Sequence, residues 1–272
     1  MNNSYAKLNG ETRVIAIIGD PIAQVKSPAG VTQALLEHGR NALVIPIHVA
    51  PAELARFIDG VSLAKNFDGM IVTVPHKFAV SRHCASMTER ARFLGAVNVL
   101  RRNPDDTWHG DMVDGLAFVG GIRSAGCKPE GQKALLVGAG GAGSAIALAL
   151  LEEDVSELAI HDEDRGRRDA LLERLHARFG SRVHAGSSDP TGYTLVANAT
   201  PAGMREGDPY PLQVDKLTSD MFVGDVITSP VVTPLIVAAR TRGCPTQIGG
   251  GMFRADQELM LKFLLEDGPL AR

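Results

Sequence analysis

The chain has 272 residues, and its 28 Lys and Arg nearly balance its 31 Asp and Glu, for a formal charge of -3. With 44% hydrophobic and 22% charged residues it has the composition of a folded globular chain, long enough for one large domain or two smaller ones, which excludes intrinsic disorder. The missing basic excess argues against nucleic acid as a partner, and no apolar run reaches the roughly eighteen residues that a membrane-spanning helix needs.

Residues 1–13 are polar and do not read as a secretion signal. Arg13–Gly19 (RVIAIIG) is a β-branched run ending in glycine, which predicts a strand. Residues 28–39 predict an amphipathic helix closed by Gly39. Residues 42–49 predict a second strand, moved to an edge or a bulge by Pro46. Residues 51–60 predict a short helix opened by Pro51, and 67–74 a third strand. This β-α-β-α-β order favours a parallel sheet covered by helices. Residues 115–127 read as a helix that connects two domains. Beyond it, strands are predicted at 133–138, Glu157–His161, Leu195–Asn198 and 221–225, with helices at 144–153, 164–179, 233–242 and 252–265.

Cys84, Cys127 and Cys244 are odd in number, far apart and without C-x-x-C spacing, so neither a disulfide framework nor a zinc site is expected, and the setting expected is the cytoplasm. His48, His76, His83 and His109 lack metal-ligand spacing, so no metal is expected.

The sharpest local signal is KALLVGAGGAGSAIALAL, a strand running through Gly138, Ala139, Gly140, Gly141, Ala142 and Gly143 directly into a helix. Glycine permits the tight turn and a close approach of backbone to pyrophosphate, and the helix N-terminus offers free N–H groups. Asp162 stands about twenty positions on, after the next strand, where a carboxylate accepts from a ribose 2′-hydroxyl and repels a 2′-phosphate. The segment therefore predicts dinucleotide binding, with NAD favoured over NADP. The other reading is a tight turn packed by small residues.

Two segments present candidate acid–base groups: VTVPHK at 72–77, with Lys77, and GDMVDG at 110–115, with Asp111 and Asp114. On spacing alone they read equally well as an exposed lysine and as turn or cap aspartates.

Taken together, these segments resemble the shikimate/quinate dehydrogenase family. Gly19-Asp20-Pro21-Ile22-Ala23 with Lys26-Ser27-Pro28 is similar to its G-x-P-x-x-H-S-x-S-P, VTVPHK to N-V-T-x-P-x-K, and Gly95-Ala96-Val97-Asn98 to G-A-V-N. GDMVDG lies where the family has G-x-N-T-D-G. Asn198-Ala199-Thr200 with Gly203-Met204, then Pro230 with Thr233-Pro234-Leu235, then Gly251-Met252 follow in family order. The resemblance implies two α/β domains. Residues 1–114 with 252–272 would form a mostly parallel substrate domain, and 115–251 a Rossmann-type dinucleotide-binding domain, with the active site in the cleft between. It implies Lys77 and Asp114 as the catalytic pair, and Ser27, Thr73 and Asn98 as substrate ligands. Val25, Asp256 and Gln257 fall at or beside further substrate positions. Cofactor positions implied beyond the glycine loop and Asp162 are Arg167, Asn198, Thr200, Val226, Thr228, Gly249 and Met252. Glu89 falls on the nicotinamide side, or is simply a helix-surface charge. A lysine in this role is expected to take the alcohol's proton as hydride leaves, although Asp114 could also accept it.

The departures from the family pattern concentrate on the substrate. Gln24 and Val25 replace a histidine and a serine, and Ile71 an asparagine. Met112-Val113 replace Asn-Thr, Thr228 a tyrosine, and Asp256 a glutamine, with Gln257 one place on. Each lost hydrogen-bond partner weakens a polyhydroxylated ligand by about 1–3 kcal/mol. Asp162-Glu163-Asp164 stand where NADP-specific members carry N-R-T, although Arg167 matches a retained arginine. The expectation is an NAD(P)-dependent oxidoreductase acting on a secondary alcohol of a shikimate- or quinate-like ring, with altered specificity, as a monomer or homodimer. The alternatives are a family member that binds ligand without turnover, and a methylenetetrahydrofolate dehydrogenase-type enzyme.

Overall fold

The computed structural model describes residues 8–271, so most of the polar start read as no secretion signal lies outside the described residues. The chain forms two compact units, residues 8–113 with 257–271, and Asp114–Asp256. The divisions fall at 113/114 and 256/257, where 114/115 and 251/252 were expected. Asp114 is the first residue of a helix that packs within the second unit, and the last long helix runs unbroken across position 252.

The first unit contains β1 (Arg13–Gly19), α1 (Ser27–Glu37), β2 (Ala42–His48), α2 (Leu54–Ser62), β3 (Phe67–Val72), α3 (Lys77–Val80), β4 (Ser86–Met87), α4 (Glu89–Leu94), β5 (Val99–Arg102) and β6 (Trp108–Asp111). The sheet order is β2-β1-β3-β5-β6-β4. β2, β1 and β3 are parallel, as the β-α-β-α-β pattern implies, and β2 with Pro46 lies at the edge. The sheet then departs from the parallel expectation, because β5 runs antiparallel to both β3 and β6. The signal was the Asn103-Pro104-Asp105-Asp106 turn, closed by Asn103 N–H to Thr107 O at 2.8 Å, which makes β5 and β6 a hairpin. Ile15, Ile17, Val31, Leu35, Val44, Ile71 and Val99 form the core with Phe263 and Leu264.

The second unit contains α5 (Asp114–Ser124), β7 (Lys133–Val137), α6 (Gly141–Glu152), β8 (Glu157–His161), α7 (Arg165–Phe179), β9 (Val183–Ala185), β10 (Leu195–Asn198), β11 (Phe222–Asp225), α8 (Pro234–Thr241), β12 (Thr246–Gln247) and the start of α9 (Gly249–Glu266). All six strands are parallel in the order β12-β11-β10-β7-β8-β9. Counted from β7, this is the 3-2-1-4-5-6 order of dinucleotide-binding sheets, with its switch point between β7 and β10. The strands read as continuous apolar runs because helices cover both faces. β9 and β12, three and two residues long, carry too little pattern to be predicted.

Candidate active site

In the first unit the polar residues gather at the carboxyl ends of β1 and β3, where ligands of parallel sheets bind. Ser27 is buried at the first turn of α1, with Pro28 beside it fixing the helix start. Thr73 follows β3 directly, and its N–H donates to Ile18 O at 2.9 Å. Lys77, partly buried, opens α3, and its backbone carbonyl accepts from Val97 N–H at 2.9 Å.

Asn98 joins these pieces. It is wholly enclosed; its N–H donates to Asp111 O at 2.9 Å and its carbonyl accepts from Val72 N–H at 2.7 Å. Its side-chain Oδ1 accepts the N–H of Val113 at 2.9 Å. One residue therefore ties the end of β3 to the step that leads into Asp114, while neighbouring Val97 holds the Lys77 turn. Asp111, the other candidate aspartate of GDMVDG, does structural work. It is buried, accepts from Thr88 Oγ1 at 2.5 Å and Met112 N at 2.7 Å, and pairs with Arg90. His76 is buried in the turn that leads into α3, its Nε2 2.8 Å from Val49 O.

Three of the changed positions, Val25, Ile71 and Val113, are apolar in the structure as in the sequence. Ile71 and Val113 belong to the core, and Val25 packs against it with Ile22. Gln257 occupies the space that Gly30 leaves on α1, one turn after Ser27. A Cβ on Gly30 would overlap its amide, with Cδ at 3.2 Å. Asp256 is partly buried one position earlier on α9. Glu89 is exposed at the first turn of α4, capped by Thr88, as a helix-surface carboxylate is.

In the second unit, Gly138 takes φ +106°, and a Cβ there would meet Ala199 O at 2.9 Å; on Gly143 it would strike Gly138 O. On Gly140 it would meet nothing within 4 Å. The loop is thus closed at Gly138, against the turn after β10, and at Gly143, against its own Gly138, and is open at Gly140, beside the uncapped N-terminus of α6. That is the cradle a pyrophosphate fits. Asp162, nearly buried after β8, is more occupied than the sequence suggests. Its Oδ2 accepts Ala139 N–H at 2.6 Å, and its Oδ1 accepts Asp164 N–H at 2.9 Å and Arg167 Nη2 at 3.0 Å. Burial pushes this carboxyl up, but those hydrogen bonds together hold it below the usual carboxylate range. Arg167 is thereby drawn to a carboxylate, and Asp164 caps α7 through Arg167 N–H at 3.0 Å.

Beyond the switch point, Asn198 ends β10 and Thr200 lies in the turn after it, while Val226 and Thr228 lie in the turn after β11. Gly249 packs against that second turn, where a Cβ would meet Val226 O at 2.6 Å. Met252 is buried on α9. Among the described residues no group of three or more His, Cys, Asp or Glu is arranged for a metal, and no helix is long and apolar enough to cross a membrane.

The family model described as shikimate dehydrogenase substrate binding domain matches residues 17–100. Over 246 residues the chain is 37% identical to shikimate dehydrogenase (NADP(+)) of Rubrobacter xylanophilus, covering 88% of this chain and 86% of that one. The chain belongs to the shikimate dehydrogenase family. Among solved members of this fold, quinate dehydrogenase from Corynebacterium glutamicum in complex with NAD superposes with TM-score 0.84 at 28% identity, covering 96% of each chain. Ligand-free 5-ketofructose reductase of Gluconobacter sp. strain CHM43 superposes with TM-score 0.81 at 26% identity, covering 94% of each. The shikimate dehydrogenase family comprises α/β chains with a substrate domain and a Rossmann-like NAD(P) domain, oxidoreductases that act on a CH–OH group.

Proposed function

We propose that the chain is an NAD-preferring dehydrogenase that oxidises a secondary alcohol of an alicyclic polyol, and reduces the ketone in reverse, with Lys77 and Asp114 managing the proton. The observation that carries this reading is Asn98, whose backbone and side chain bond both the end of β3 and the residue before Asp114. The dinucleotide, when bound, supplies the hydride acceptor. Lys77 takes the hydroxyl proton as the carbon–hydrogen bond gives up its electron pair, and returns it in the reverse direction. Asp114 orients the ammonium and the hydroxyl. Ser27, Thr73, Asn98 and Gln257 hold the remaining hydroxyls, and Glu89 stays on the helix surface.

Asp162-Glu163-Asp164 support NAD, because a 2′-phosphate would meet three carboxylates and an Arg167 already bonded to Asp162. Val25, Ile71 and Val113, packed into or against the core, support a substrate gripped less through polar ligands than shikimate. In this reading Asp256 faces substrate, where its carboxylate disfavours an anion and tolerates an amine-bearing ring. A relative named for 5-ketofructose is a precedent for a different substrate on this fold.

The test is reduction of NAD and of NADP, followed by absorbance, with shikimate, quinate, and neutral and amine-bearing ring polyols. The expected result is NAD over NADP, with a neutral or amine-bearing ring oxidised faster than shikimate. Fast oxidation of shikimate with NADP would overturn both refinements. Dinucleotide binding without oxidation of any ring would favour a ligand-binding role without turnover.

A further inference from the structure

Asp225, the last residue of β11, is wholly enclosed and carries no role in the reading above. Its Oδ1 accepts from Asn198 Nδ2 at 3.1 Å and from Ile227 N–H at 3.1 Å, and its Oδ2 accepts from Thr233 Oγ1 at 2.6 Å. Asn198 passes the connection outward. Its Oδ1 accepts the N–H of Thr200 at 3.0 Å and the hydroxyl of Thr200 at 2.7 Å, and Thr200 Oγ1 in turn accepts Ala202 N–H at 3.2 Å. Thr233 passes it the other way, capping α8 through Ile236 N–H at 3.3 Å. A single buried carboxylate thus holds the turn after β10, the turn after β11 and the start of α8.

Such a placement is poor for stability alone. Burial pushes the Asp225 carboxyl up, against the pull of Thr233, Ile227 and Asn198, so its partners do not fully offset the desolvation of the charge. What the arrangement yields is geometry. Gly138 presses on Ala199 and Thr200, and Gly249 on Val226 and Ile227, so the two turns border the cradle and the start of α9. They lie on the side of β7 away from β8. Asp162 marks the β8 side as that of the adenosine, so these turns flank the nicotinamide half.

We infer that Asp225 is a positioning residue for the nicotinamide half of the cofactor: through Asn198 and Thr200 it sets the loops on which that half rests, without touching it. This rests on the dinucleotide reading above. The experiment compares binding of NAD with binding of ADP-ribose, which lacks the nicotinamide, to wild type, Asp225→Asn and Asp225→Ala by titration calorimetry, with kcat and KM followed where a substrate is known. In Asp225→Ala, NAD binding is expected to weaken by roughly tenfold or more while ADP-ribose binding changes by less than about threefold. Asp225→Asn is expected to restore most NAD affinity, because its Oδ1 keeps two acceptor bonds and its Nδ2 can donate to Thr233 Oγ1. If Asp225→Ala does not fold, Thr233→Val carries the same comparison, since it removes the hydroxyl that donates to Asp225 Oδ2 at a residue outside the cofactor positions. Equal weakening of both ligands, or of neither, would overturn the inference and leave the dinucleotide reading standing. Wild type that binds neither ligand would overturn both.

Discussion

Asp162 Oδ2 accepts the backbone N–H of Ala139 at 2.6 Å, so the acid at the end of β8 is bolted to the glycine loop that begins after β7. Its carboxyl is held below the ordinary range, so by linkage it contributes stability that is complete above its unfolded pKa and is lost as pH falls through the folded one. Asp162→Ala is expected to destabilise the protein at neutral pH by about 1–3 kcal/mol, through the unpaired Ala139 N–H and the freed Arg167. The gap to wild type should begin to close below about pH 4, where the unfolded carboxyl starts to protonate, and close further as pH falls through the lower folded value. Urea midpoints across pH check this, and a gap independent of pH would refute it.

The two kinds of glycine in the loop should separate stability from binding. Gly143→Ala forces a methyl onto the carbonyl of Gly138 and is expected to lower stability by at least about 2 kcal/mol. Gly140→Ala adds its methyl to open space, so the melting temperature should stay near wild type. The same methyl sits where pyrophosphate must approach, and NAD binding should weaken by about tenfold or more. Unaltered NAD binding in Gly140→Ala would place the dinucleotide elsewhere.

Lys77→Ala is expected to lower turnover by at least about a hundredfold while NAD affinity stays within about twofold. The lysine belongs to the first unit and the cradle to the second, so the two readouts separate. Turnover near wild type would remove Lys77 from proton transfer.

Burial pushes the Cys84 thiol up to about 12 and the Cys127 thiol up to about 11, and raises that of Cys244. Because only the thiolate reacts, Cys84 and Cys127 of the native protein at mild alkaline pH should be alkylated at least about a hundredfold more slowly than in urea. Mass spectrometry of iodoacetamide-treated protein reads this directly, and one fast native cysteine would point to an opening absent from this structure.

What was legible in sequence was whatever has a local period. The strands at Arg13–Gly19, Glu157–His161 and Leu195–Asn198 end where the apolar runs end, because nothing long-range competes for them. β5 and β6 went unread for a physical reason. Arg101 and Arg102 look like surface residues, yet Arg102 is only 1% exposed and spends its guanidinium on the carbonyls of Val61 and Ser62 in the last turn of α2, of Ala64 just beyond it, and on Asp106. A cation that caps a helix from inside a strand gives no pattern in its own neighbourhood. Candidate site residues were found by motif, but their division of labour was not. Asn98 bonds a backbone fifteen positions away, and Asp162 one twenty-three positions away, and no spacing rule encodes either.

Gly115 follows Asp114 on α5, and a Cβ there would meet the backbone carbon of Ala145 at 2.6 Å and Ala149 Cβ at 2.9 Å on α6. The two helices therefore touch main chain to main chain, with no side chain between them to act as a cushion. α6 begins at the cradle and α5 begins at the acid, so cradle and acid are cast as one piece. A shift in the seat of one is inherited by the other, and a sequence drifting toward a new substrate has more room at the partly buried Val25 and Asp256 than at this joint, which admits glycine alone.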